Sequence, residues 1–343
     1  LQNDKNNMKN IYKKISIKKN YDTAIKNFKK SKILIIGDFI LDRYTICSAI
    51  GKTAKTPTLS VKKLYSNEFF GGASLFLNNI LSLGAKAELI TVVGNDYGKT
   101  FIRSSNKLKK KINLIIDDER PTTSKERFMV DGYKLLQLDI LENKDISKKI
   151  LNKIKNIVNK KIKYFDCVLF SDSRHGMLSK NVINEIISIA RRYNKKIVVD
   201  TQVSNRKGNV EDYSDIDLIS INDSEARDYL KDWHSNDETI FLKLCEKLKF
   251  DTIIFKLGAK GLIAKNMDKY YRFPALPVNV IDPIGSGDAF LSCSAICNIN
   301  GIPFEDNIYL SSCCAALCCT KLGTSPIDKK ELKLFSKNKW VFK

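Results

Sequence analysis

Apolar residues follow two rhythms along this chain. Short continuous runs such as Lys32-Ile33-Leu34-Ile35-Ile36, Cys167-Val168-Leu169-Phe170, Ile197-Val198-Val199 and Thr252-Ile253-Ile254-Phe255 read as strands buried on both faces. Between them, near 147–163 and from Asn181 to Arg192, apolar residues recur at helical spacing. Helix and strand in alternation predict a parallel sheet covered by helices. Strict apolar–polar alternation marks Thr58 to Phe70, while Thr123 to Val130 and Lys134 to Ile140 straddle Asp131-Gly132, a two-residue hairpin signal. These segments predict a small exposed β-layer beside the main sheet. Pro277 to Ile281 also alternates and reads as a further strand.

The residues able to do chemistry gather where the predicted strands end. Asp282-Pro283-Ile284-Gly285-Ser286-Gly287-Asp288 opens a helix from Ala289 to Ile299, so the backbone N–H groups of Gly285, Ser286 and Gly287 make a seat for an anion. A carboxylate there repels a resting phosphate, which makes sense if Asp288 takes a proton from a hydroxyl attacking that phosphate. A helix-start aspartate in a plain glycine turn is the alternative left open. Gly37-Asp38 ends the first strand, where Asp38 and Asp42 suit sugar hydroxyls or turn capping. Gly71-Gly72 starts a helix running to about Leu83 and lets backbone approach a substrate. Lys125 and Arg127, two apart on a strand, share a face and suit a substrate phosphate or plain solvation. Asn222 and Glu225 form a capping-box pattern. Lys256, Gly258 and Gly261 lie in a glycine turn after a strand. Gly94 to Thr100 has three residues between its glycines, too few for a phosphate-wrapping P-loop.

Composition narrows the class. At 343 residues and 43% hydrophobic content the chain buries a full core. No apolar run reaches membrane-spanning length and no signal-peptide core is visible, so a cytoplasmic protein with no membrane partner is expected. The nine cysteines lack metal-finger spacing, which fits reduced thiols; Cys293 and Cys297, four apart on a helix, read as packing. The net charge of +21 sits largely at the ends, with ten Lys against two Asp in residues 1–32 and six Lys against two acids in 328–343. Without Arg–aromatic interleaving, nucleic acid is not an expected partner. Residues 1–20 are expected to be a basic, disordered or partly helical extension or the edge of an excised domain. A compact domain over 21–335 follows, with lid strands within about 43–70 and 122–140, and then a tail over 336–343.

In order along about Tyr21 to Leu332, Gly37-Asp38, Gly71-Gly72, Asp96/Gly98, Asn222/Glu225, Gly258/Gly261 and Asp282 to Asp288 resemble the motifs of the ribokinase-like (PfkB-type) carbohydrate kinases. Within that family, Gly37 to Tyr44, the Thr-Lys-x-Arg pattern at Lys125 and Arg127, and the end Lys321 to Ser325 are similar to D-glycero-β-D-manno-heptose 7-phosphate kinases. The resemblance implies an α/β, three-layer sandwich with a central mostly parallel sheet and a small β lid. It implies ATP and Mg²⁺ as cofactors, with Asp288 as base and Gly285, Ser286 and Gly287 as anion hole. Asp38, Asp42, Gly71, Gly72, Lys125, Arg127 and His175 would face the sugar or sugar phosphate. Asn222, Lys256, Gly258 and Gly261 would face ATP, and Glu225 would reach Mg²⁺ through water.

Leu75, His175 and Gln202 stand where heptose kinases carry Asn, Lys and Lys, which leaves another sugar, sugar phosphate or nucleoside open as acceptor. A further alternative is a ligand-binding, kinase-like partner of a nucleotidyltransferase. With only His175 and His234, a His-x-Gly-His nucleotidyltransferase motif is absent from the chain. A homodimer is the expected assembly if there is one.

Overall fold

The computed structural model describes residues 12–13, 15–17, 20–202, 210–321 and 323–338. In chain order the elements are α1 (Asp22–Asn27), β1 (Lys32–Gly37), β2 (Phe39–Lys52), β3 (Leu59–Gly72), α2 (Ala73–Ser82), β4 (Lys86–Val93) and α3 (Tyr97–Ser104). Next come β5 (Ile112–Ile116), β6 (Ser124–Val130), β7 (Tyr133–Ile140), α4 (Lys148–Lys161), β8 (Cys167–Asp172), α5 (Lys180–Arg192) and β9 (Lys196–Thr201). The remainder is β10 (Leu218–Asn222), α6 (Asp223–Leu230), α7 (Asp237–Leu248), β11 (Thr252–Lys256), β12 (Leu262–Asn266), β13 (Lys269–Phe273), α8 (Ser286–Ile299), α9 (Phe304–Cys319) and α10 (Lys329–Phe335).

Nine strands form the main sheet in the order β13-β12-β11-β10-β9-β8-β1-β4-β5. Pairing is parallel from β11 to β5, and β12 and β13 add an antiparallel edge. The continuous runs sit here because both faces are covered: Ile33 and Ile35 join α2, α8 and α9 in one apolar cluster, while Leu34 and Ile36 join α4, α5 and α7 in the other. This is the three-layer arrangement expected from the sequence.

The second sheet, β3-β2-β6-β7, stands off the main one and is mixed, because β2 runs parallel to β6. Asp131 and Gly132 both take positive φ, 49° and 82°, as a two-residue hairpin turn requires. All eight residues of β7 are exposed, among them Tyr133, Leu136, Leu138 and Ile140.

One expected strand is absent. Residues 277–281 have no ladder partner; instead the N–H groups of Ile281 and Asp282 donate to Cys319 O at 2.8 and 3.2 Å. Val280 and Ile281 are exposed, so their alternation tracks no buried face. Most of residues 1–20 and much of 336–343 lie outside the described residues, although Lys13 N–H donates to Tyr270 O at 2.8 Å on β13. Among the described residues no helix is long and apolar enough to cross a membrane. The nine cysteines are unbridged, and Cys293 and Cys297 pack with their sulfurs 4.0 Å apart.

Candidate active site

Parallel register brings the ends of five neighbouring strands to one edge of the sheet. Gly37 of β1 is level with Ser171 of β8, Ser171 with Asp200 of β9, Asp200 with Ser220 of β10, and Asn222 with Lys256 of β11. Asp38, Asp172, Asp200, Asn222 and Lys256 therefore line the carboxyl edge, where α/β sheets bind ligands. Gly37 is required for this close stacking, since a Cβ there would lie 2.1 Å from Ser171 O.

The 282–288 turn is built by its own first residue. Asp282 Oδ1 accepts from Ile284 N–H at 3.0 Å and Oδ2 from Gly323 N–H at 3.1 Å, tying the turn to the chain after α9. Gly285 caps α8 at φ 81°. The expected anion seat needs one correction: Ser286 N–H donates to Pro283 O at 3.2 Å, as the tight turn demands. The N–H groups of Gly285, Gly287 and Asp288 make no hydrogen bond to another described residue, so they are the ones left for an anion.

Beneath this turn lies a buried charge cluster. Lys256 Nζ sits 3.6 Å from Asp200 Oδ1 and 3.2 Å from where a Cβ on Gly287 would be, so a side chain at 287 would crowd the ammonium. Burial and the Asp200 carboxylate push Asp288 up to about 8, against the opposing pull of Lys256. Asp288 as a whole residue is only partly buried. An acid in this state gains a proton readily, which suits a general base at neutral pH.

Glu225 is buried, and burial raises its pKa to about 7. Asn222 Oδ1 accepts from Glu225 N–H at 2.9 Å and Glu225 Oε2 accepts from Asn222 N–H at 2.7 Å, so the capping box is real. That leaves Asn222 its side-chain NH₂ and Glu225 its Oε1. Among the described residues no three ligand side chains lie close enough to hold a metal directly. Glu225 Oε1, outside the capping box, is a single carboxylate oxygen of the kind that suits a cation keeping most of its water. Gly261, at φ 89°, closes its turn by accepting from Leu257 N–H at 2.8 Å, and the space above Gly258 is open.

On the other side of the edge, Asp38 is buried, and burial together with neighbouring Asp172 raises it to about 7. His175 N–H donates to Asp38 Oδ2 at 3.4 Å. Asp172 is held by Tyr213 Oη at 2.9 Å and by Arg174 at 3.3 Å, and Arg174 takes a left-handed φ of 62°. Gly72, at φ 58°, allows Ala73 N–H to reach Asp38 O at 2.9 Å, and a Cβ on Gly71 would strike Asp42 Oδ2 at 2.3 Å.

The lid pair differs from expectation. Arg127 donates to Asp42 Oδ1 at 2.7 Å and lies 5.2 Å over the Tyr44 ring, so Arg127 and Asp42 neutralise each other. Lys125 has no such partner among the described residues, and its charge acts on His175. Asp96 Oδ2 accepts from Thr122 N–H at 2.7 Å, making the Gly94–Gly98 turn a joint for the lid strand. Sequence reasoning missed Arg120, Asn143 and Arg174. Arg120 ties His175 O and Lys144 O together at 3.2 and 2.8 Å, and no local motif marks such a long-range bond.

Comparison with known proteins places this geometry in a family. The model of the pfkB family of carbohydrate kinases matches residues 30–330. Bifunctional protein HldE of Campylobacter jejuni subsp. doylei is 31% identical over 90% of this chain, which spans 65% of that relative's length. Bifunctional protein HldE of Haemophilus influenzae (strain PittEE) is 28% identical over 89% of this chain and 63% of its own. Among solved structures, phosphofructokinase-2 of Escherichia coli in complex with potassium superposes with a TM-score of 0.72 at 13% identity, covering 89% of this chain and 98% of its own. Arabidopsis thaliana ribokinase complexed with ribose and ATP gives 0.72 at 16% identity, covering 90% and 99%. The chain belongs to the pfkB family of carbohydrate kinases.

Proposed function

We propose that this chain transfers the γ-phosphate of ATP to O1 of D-glycero-β-D-manno-heptose 7-phosphate, in making precursors of surface polysaccharide. The observation that carries the reading is Asp288, partly exposed and flanked by the unengaged amides of Gly285 and Gly287 at the N-terminus of α8. Asp38 orients the sugar, and Asp288 accepts the proton of the attacking hydroxyl. The amides hold the charge that develops on the transferring phosphoryl group. Asn222, Lys256 and the open turn at Gly258 lie on the ATP side, with Lys256 balancing the carboxylates there. Mg²⁺, when bound, neutralises the triphosphate, and Glu225 is the residue that reaches its water shell.

A second reading, another sugar, sugar phosphate or nucleoside as acceptor, is favoured by the Asp42–Arg127 ion pair, which takes one of the two cations expected to meet a substrate phosphate out of that role. Measuring ADP formation with heptose 7-phosphate, hexose and pentose phosphates, free sugars and nucleosides tests both. Heptose 7-phosphate as best acceptor supports the first reading, a different acceptor the second. Silence with all of them would leave a ligand-binding partner of a nucleotidyltransferase, a role suggested by relatives named bifunctional and longer than this chain. The apolar exposed strand β7 favours a homodimer formed through the lid, to be checked by light scattering. The cytoplasm is the compartment where ATP and a sugar phosphate meet.

A further inference from the structure

The loop after β8 holds two buried polar atoms without a hydrogen-bond partner among the described residues, Ser173 Oγ and His175 Nε2. His175 is only 5% exposed. Its Nδ1 lies 3.1 Å from Asn143 Oδ1; a carbonyl oxygen accepts, so Nδ1 carries the proton and Nε2 the lone pair. The backbone that carries the ring is itself pinned. His175 O accepts from Arg120 at 3.2 Å, and Gly176 holds a φ of 90° that brings its Cα against Lys144 O, where a Cβ would be 2.1 Å away. Native interiors rarely keep such an orphan acceptor, and one on a residue whose backbone N–H bonds Asp38 calls for a donor from outside the protein.

We propose that His175 Nε2 accepts a hydrogen bond from a hydroxyl of the acceptor sugar and helps set which sugar is phosphorylated. This deepens the sugar-kinase reading without depending on which sugar is used. The ring bonds Asn143 and feels the charges of Lys125 and Asp139 from the lid, while Asp38 and Arg120 hold the residue by its backbone N–H and C=O. Burial and the Lys125 ammonium hold its pKa down at about 4, so the imidazole is neutral wherever the enzyme works. A neutral acceptor rewards an O–H and offers nothing to a phosphate dianion. The position that carries Lys in heptose kinases therefore reads a hydroxyl here.

The test is a double-mutant cycle between the protein and its substrate. With whichever acceptor is turned over best, wild type and His175→Leu are assayed against deoxy analogues that each lack one hydroxyl. His175→Leu should raise the acceptor KM by about 5- to 150-fold, the equivalent of a hydrogen bond of 1–3 kcal/mol at 1.4 kcal/mol per tenfold. The KM for ATP should stay within about twofold, a split expected for ground-state sugar binding alone. One deoxy analogue should cost wild type a similar factor and cost the variant nothing further. His175→Gln, with a carbonyl oxygen of similar reach, should recover part of the loss and serves if the leucine variant does not fold. The wild-type acceptor KM should show no histidine titration between pH 5.5 and 8. Additive penalties for every analogue, or an acceptor KM that rises through pH 6–7 in wild type alone, overturn the proposal. Absence of turnover with any sugar overturns the kinase reading along with it.

Discussion

Asp288→Asn separates the chemistry of the turn from its stability. Replacing the base with an isosteric amide should lower kcat by about 10²- to 10⁴-fold, the usual contribution of a positioned general base. The KM for ATP should change little, since the amides of Gly285 and Gly287 remain. In wild type the base works only when ionised, so kcat/KM should rise with pH and level off above an apparent pKa near 8 that belongs to the Asp288, Asp200, Glu225 and Lys256 group as a whole. The variant should lose that limb.

Stability should move the other way. The folded pKa of about 8 exceeds the ordinary 3.8, so the folded state holds the proton more tightly and stability falls as pH rises between those values. At pH 7 the ceiling on this loss is about 4 kcal/mol, from 1.36 kcal/mol per pH unit. Because Asp288 is only partly buried, solvent in the cleft screens the charge and a gain of about 1–2 kcal/mol is expected for the amide, a rise of about 2 to 6 °C in Tm. A coupled ADP assay and thermal unfolding at pH 6 and 8 measure both. A variant that turns over at the parent rate, or one that melts lower at pH 8, refutes the reasoning.

Lys256→Met removes the counter-charge of three carboxylates and should cost about 2–4 kcal/mol in urea unfolding, with the loss wider at pH 8 than at pH 6 as those groups ionise. An unchanged midpoint with a raised KM for ATP would instead make Lys256 a phosphate ligand. Gly176→Ala meets both Lys144 O and an adverse φ, so it should displace the His175 loop and raise the acceptor KM about tenfold while sparing ATP, as paired KM measurements will reveal. Arg127→Met and Asp42→Asn should each destabilise by about 0.5–2 kcal/mol but not additively, because they form one ion pair; additive losses in a denaturation cycle contradict the pairing.

The sheet was legible because continuous Ile, Leu and Val runs have only one stable home, between two helical layers. Strand ends then located Asp38, Asn222 and Lys256, and the glycine turn located Asp288. Pro277 to Ile281 misled because alternation marks a strand only when one side is buried, and here the chain hangs from Cys319 O instead. Arg127 was read as a free cation because sequence spacing places it on a face without revealing that Asp42, 85 residues away, occupies the same place. Arg120 and Asn143 escaped for the same reason: their partners lie 55 and 32 residues along the chain.

The junction of the two sheets has a consequence for the order of events. β2 begins one residue after Asp38, and its first residue, Phe39, pairs with Gly72, the last residue of β3. Both strands that carry the small sheet thus leave from the aspartate proposed to hold the sugar. On the proposed role of Asp38, a sugar bonded there would stiffen that junction, so that recognition and enclosure would become a single motion. ATP arriving alone has no grip on that junction, and its wasteful hydrolysis should stay slow until an acceptor is seated; hydrogen exchange at residues 39–41, slowed by sugar but not by ATP, would reveal it.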